Sequence, residues 1–229
     1  MKVELSPEAK ILIDRYFNIK VGEWSFACPY FMNERGLRNL PIAYSGKGLP
    51  EEIEAEISKI YERKKGVVKS AASAKNMMIL CSLGIDCSGL VVNILDEHLK
   101  ETRGLSIYDV VRYPSWVWRL RAYFRPRTNI SADLLTGELN SVAVELAQVR
   151  PGDMIKRGRN HVMLVEWVDA RQFGYIHADT MPEWGLQRGA VEVIDAKLPL
   201  EKQGWSVKED LGLYKKAGDK GLVRLRVLM

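Results

Sequence analysis

The sequence predicts an α+β fold in which N-terminal helices pack on an antiparallel β-sheet. Three observations carry that expectation. Apolar residues recur at helical spacing through the first half of the chain. After Gly152 they recur in short β-rich runs parted by turn signals. The chain has 229 residues, 47% of them hydrophobic, which is ample for one core. Charges of both signs are mixed, and no repeat or low-complexity run breaks the chain. The expectation is one domain over 1–229, with a helical N-terminal part over 1–75 and a core over 76–229.

The elements follow in order. Ser6-Pro7-Glu8 is a helix start, with Pro at the first turn. Gly22 to Gly48, rich in Gly, Pro and aromatics, reads as loop. Pro50 to Lys64 reads as helix: Ile53, Ile57 and Ile60 share a face, with acids at the start and bases at the end. A further helix is expected over Val68 to Ser82. Leu90, Val91, Ile94 and Leu95 form an apolar stripe, so Ser88 to Leu99 should be helical. Ser106 to Phe124 reads as one or two helices broken at Pro114, and a short helix follows Ser131. Strands are expected over Asp153 to Lys156, His161 to Val168, Phe173 to Ala178, Ala190 to Ile194 and Leu222 to Leu228. Arg188-Gly189 and Ala217-Gly218-Asp219 serve as turn signals.

Composition excludes several classes. Three cysteines (Cys28, Cys81 and Cys87) make no disulfide framework. With no CxxC or HExxH pattern and three histidines, no metal site or cofactor is expected. Glu4, Glu8, Lys10 and Asp14 interrupt the apolar run an export signal needs, and no window approaches the roughly 18 apolar residues of a membrane span. The expected compartment is the cytoplasm. Gly46-Lys47-Gly48 lacks the spacing of a phosphate loop. The net charge is +5, and Lys100 to Arg127, with seven basic and two acidic residues, accounts for all of it.

Cys87 stands at the expected start of an amphipathic helix. A helix N-terminus favours thiolate over thiol, and its free N–H groups could hold an oxyanion. The plainer reading is a small buried apolar residue. His161 opens one strand and His177 closes the next. With a turn centred on Asp169 the two stand directly opposite each other, and a shift of one or two residues makes them diagonal neighbours. Two strand-end histidines satisfied by backbone or water are the alternative. His98, near a helix C-terminus, is given no catalytic role. A thiol, a histidine and a polar residue that orients the histidine form the logic of an activated nucleophile.

Asp86-Cys87-Ser88-Gly89-Leu90-Val91 resembles the nucleophile motif of the NlpC/P60 cysteine peptidases. Pro151-Gly152-Asp153 resembles that family's turn before its first core strand. Asn160-His161-Val162-Met163-Leu164-Val165 and Tyr175-Ile176-His177-Ala178 resemble its two histidine-bearing strands. The resemblance spans roughly residues 76 to 195. It implies a papain-like fold with 76–229 as catalytic core and the helices before it as an insertion. It implies Cys87 as nucleophile, His161 as base and His177 as orienting residue. It implies that Asp86 and Ser88 bind the substrate's free amino group, with Tyr30 of Pro29-Tyr30 (Tyr44 second) reaching the site.

The function that follows is hydrolysis of a γ-D-glutamyl-diamino acid bond in peptidoglycan-derived peptides, without cofactor. The expected partner is a small peptide, with no nucleic acid and no membrane. Another amidase or acyl-transfer hydrolase with the same triad, or a binding module that keeps the fold, are the alternatives. The segment around Tyr113, Trp116, Trp118, Arg119, Arg121, Tyr123, Phe124 and Arg125 reads first as an amphipathic helix with Val117, Leu120 and Phe124 in the core. It reads second as an arginine-lined cleft wall facing acidic substrate groups.

Overall fold

The helices gather in the first two thirds of the chain and the main strands in the last third. A computed structural model describes residues 2–31, 41–64, 66–179 and 185–229. After a two-residue strand β1 (Val3–Glu4), α1 (Pro7–Phe17) starts at Pro7 as expected and buries Ala9, Leu12, Ile13 and Tyr16. α2 (Pro50–Lys64) has the expected bounds and buries Ile53, Ile57 and Tyr61. α3 (Ala71–Leu80) is set by a capping box between Ser70 and Ser73. α4 (Cys87–Arg103) is capped by Asp86 and stopped by Gly104 in the left-handed region. Pro114 separates α5 (Ile107–Val110) from α6 (Trp116–Phe124), and Ser131 caps α7 (Ala132–Thr136).

The strands β4 (Ser141–Ala143), β5 (Met154–Arg157), β6 (Val162–Val168), β7 (Gln172–Ala178), β8 (Leu186–Glu192), β9 (Gly204–Trp205) and β10 (Lys220–Leu225) form an antiparallel sheet. Its order is β4-β10-β5-β6-β7-β8-β9, and β1 pairs with β6. Successive side chains of a strand point to opposite faces, and two apolar layers result. Val162, Leu164, Ile176 and Ala178 join α1, α2 and α4 in one layer. Met163, Val165, Phe173 and Tyr175 pack with Trp205 and with Tyr214 of α8 (Lys208–Lys216) in the other. Among the described residues, no helix is long and apolar enough to cross a membrane.

The short strands β1, β4 and β9 and the helix α8 were not expected, β8 begins four residues before the expected Ala190, and four further features differ from the sequence expectation. Trp24–Phe26 (β3), inside the expected loop, pairs with Ile19–Val21 (β2) as a hairpin. Residues 32–40 of that loop lie outside the described residues. Gly189 is not a turn residue but lies within β8. It stands opposite Tyr175, and a Cβ there would come within 2.3 Å of the Tyr175 ring. The last strand ends at Leu225, three residues early, and passes into a 3-10 turn. The fourth difference is the largest. Val117, Leu120 and Phe124 are not in the core: all three are exposed, and Ala122 is the one buried residue of α6.

Candidate active site

The mouth of α4 is built by three segments that meet there. Asp86 is its N-cap, and its Oδ1 accepts the Gly89 N–H at 2.6 Å. The loop at Gly46 crosses the same turn, and the Gly46 carbonyl accepts the Asp86 N–H at 2.9 Å. A Cβ on Gly89 would come within 2.2 Å of that carbonyl oxygen, so the loop demands glycine there. Lys47, the residue between the two loop glycines, is buried. Its Nζ donates to Asp86 Oδ1 at 2.9 Å, Ser88 Oγ at 2.5 Å and the Ile130 carbonyl at 3.3 Å. An ammonium has three protons, and all three are placed.

Cys87 follows the cap and is 4% exposed. Its Sγ donates to the Asn160 carbonyl at 3.5 Å and accepts the Val162 N–H, so the sulfur rests against the backbone on both sides of His161. Burial, and next the Asp86 charge, push the thiol up to about 11; Val162, Lys47 and the Ser88 N–H pull the other way and lose. Cys87 is buried, as the plainer sequence reading has it, and desolvation outweighs the pull of the helix N-terminus. Tyr30 returns to this place despite lying 57 residues upstream. A parallel bridge joins Tyr30 to Ile85, and the tyrosine feels the charges of Cys87, Asp86 and Asp179. Tyr44, the second choice, points instead to Glu56.

His161 and His177 meet. The turn falls later than Asp169, with Val168 paired to Phe173, and a bulge between Val165 and Trp167 takes up one residue, so the two histidines are diagonal neighbours on one face rather than directly opposed. His161 Nε2 lies 3.2 Å from His177 Nδ1, with the rings nearly perpendicular. His177 Nε2 lies 3.2 Å from Asp210 Oδ2, an ion-pair distance with an off-line N–H direction. Asp210 also accepts the Tyr175 hydroxyl at 2.7 Å and faces Arg157 at 3.4 Å. Burial pushes the Asp210 carboxyl up, but His177, Tyr175 and Arg157 together hold it below the ordinary value. Burial, Arg157 and His177 drive His161 well below the ordinary histidine range. The His161 Nδ1 is buried with no hydrogen-bond partner among the described residues. Arg157 senses Asp210, Asp179 and Cys87, which puts the thiol and the buried carboxylates in one electrostatic neighbourhood.

No protein-family model matches the chain, and no curated protein matches its sequence. The site therefore rests on its own geometry.

All six residues singled out in the sequence (Cys87, His161, His177, Asp86, Ser88 and Tyr30) belong to this one region. Four others were given no role there: Lys47, Arg157, Tyr175 and Asp210. Lys47 carried a usable signal, a lysine held between two glycines just before a helix. Asp210 carried none, because it sits in α8 beyond every recognisable motif. His177, Asp179 and Asp210 bring ligand atoms within 4.8 Å of one another, a spacing that could hold a metal ion. The Arg157 guanidinium and the Tyr175 hydroxyl already serve Asp210, so protein groups supply the positive charge there.

Proposed function

We propose that the chain is a cysteine hydrolase of the NlpC/P60 type, papain-like in fold, that cuts an amide bond in a peptide. The observation that carries this reading is the meeting at the mouth of α4 of the Cys87 sulfur, which rests against the backbone on both sides of His161, with the series His161, His177 and Asp210. The carboxylate of Asp210 favours the His177 proton on Nε2. That leaves His177 Nδ1 as an acceptor for the Nε2–H of His161. The bare Nδ1 of His161 is then the base. Asp210 and His177 act as positioning residues for that nitrogen.

Thiol and imidazole are both neutral at rest, so the proton moves as attack proceeds. The thiol proton passes to His161 Nδ1 while sulfur bonds to the substrate carbonyl carbon. The backbone N–H groups at the first turn of α4 face the oxygen that becomes negative. The C–N bond then breaks, His161 returns the proton to the departing amine, and water hydrolyses the thioester.

The favoured substrate is a peptidoglycan-derived peptide cut at its γ-D-glutamyl-diamino acid bond. One observation favours a second reading of the substrate. The resemblance assigns Asp86 and Ser88 to a substrate amino group, yet the Lys47 ammonium already occupies both. A substrate without a free amine at that place suits the site. Both readings meet one test. L-Ala-γ-D-Glu-diaminopimelate and its N-acetyl form are incubated with the protein, and free diaminopimelate is measured. Release from the free-amine peptide alone supports the first reading, and release from both supports the second. Turnover of neither, alongside hydrolysis of another amide, removes the peptidoglycan assignment.

A further inference from the structure

We propose that α6 is a docking element for the surface of an anionic membrane. Amphipathic helices in folded domains turn their apolar side inward. α6 does the reverse. Ala122 faces the body of the protein, and at 100° per residue the opposite side carries Trp116, Val117, Leu120 and Phe124. Trp116 is 76% exposed, Leu120 50% and Phe124 74%. Every residue from Pro114 to Pro126 other than Ala122 is exposed. A contiguous aromatic and aliphatic stripe on the outside of a folded chain marks an interaction face.

The flanks identify the partner. Arg119 and Arg121 border the stripe on its two sides, and Arg121 lies over the Trp118 ring. Between Asp109 and Asp133 the chain has five arginines and no acid. Behind the helix lies a cavity of about 920 Å³ whose charged lining is three arginines, Arg112, Arg119 and Arg226, and one acid, Asp109. Apolar residues that lead, aromatic residues with polar tips, and arginines at the edges are the chemistry of a helix lying in a lipid interface. The positive excess selects anionic headgroups, and a basic cavity beside the stripe can receive one. At nine residues, α6 can lie in that interface but cannot span it. A single-stranded nucleic acid also favours arginine and aromatic residues, but it gives Leu120 and Val117 nothing to enter. The proposal is independent of the cysteine site.

The test is co-sedimentation with vesicles, read together with tryptophan emission. The full chain should sediment with vesicles of phosphatidylcholine mixed with phosphatidylglycerol, with blue-shifted emission. It should stay in solution with phosphatidylcholine alone, and salt should weaken the binding. The triple variant W116S/L120S/F124S should bind at least roughly tenfold more weakly, and R119Q or R121Q roughly fivefold each. The replaced side chains are exposed, so circular dichroism and melting temperature should match the parent. Any of three results overturns the proposal: no binding to the anionic vesicles, equal binding by the stripe variant, or a dimer in solution that the stripe variant splits. Capture of a single-stranded oligonucleotide without vesicle binding overturns it as well.

Discussion

The mouth of α4 and the face of α6 invert the ordinary rule of burial in opposite directions. Around Cys87 the chain buries charge: Lys47, Arg157 and Asp210 are each under a tenth exposed. On α6 it exposes two tryptophans, a phenylalanine and a leucine. The difference lies in where the partners are. Every buried charge at the α4 site meets a counter-charge or acceptor within the chain, which is the condition for burying it. The apolar stripe of α6 stays largely exposed among the described residues. The proposed catalytic site is closed on itself, and the proposed docking face is open.

Mutations on the two sides should therefore behave oppositely, and the largest effect falls at the site. C87A should abolish hydrolysis, by at least roughly 10³-fold, with little change in melting temperature. Steady-state rates on a cleaved peptide check this. D210A strips His177, Tyr175 and Arg157 of their shared acceptor and should cost about 3–5 kcal/mol in urea unfolding. D210N keeps the shape but can donate to His177 Nε2, which moves the protons the wrong way along the line. It should lose activity out of proportion to stability. K47M leaves Asp86 without its cation and should cost about 1–3 kcal/mol. It should also push the Cys87 thiol higher still, seen as slower alkylation across the alkaline range.

The same contrast extends to pH. His161 is held below its ordinary value of 6.5 in the folded chain, so the unfolded chain binds its proton first. Stability from this group is whole above pH 6.5 and drains away as pH falls toward the folded value. Thermal melts of the parent should show that slope, and H161Q should reduce it, the rest coming from His98, which burial also holds below its ordinary value. The smallest effect belongs to α6, where L120S should shift unfolding by no more than about 0.5 kcal/mol. A large loss there would mean that the stripe is packed after all and would break the comparison.

What the sequence disclosed was local. The bounds of α2, the start of α4 to within one residue and the meeting of His161 with His177 follow from signals carried within a few residues. What it withheld was remote. Lys47 reaches Asp86 across 39 residues and Tyr175 reaches Asp210 across 35, and no spacing rule links such pairs. Gly189 reads as a turn residue until the Tyr175 ring is seen to need its space. α6 is the sharpest instance. Periodicity located an apolar stripe at Val117, Leu120 and Phe124, but periodicity does not say which way a stripe points.

In the proposed mechanism Asp210 and His177 keep the Nδ1 of His161 bare, so that it can take the Cys87 proton. Long-range proton–nitrogen NMR reads this directly, since the chain has only three histidines to assign. At neutral pH the account predicts an uncharged His161 with its proton on Nε2. A proton on Nδ1, or a charged ring, would contradict it.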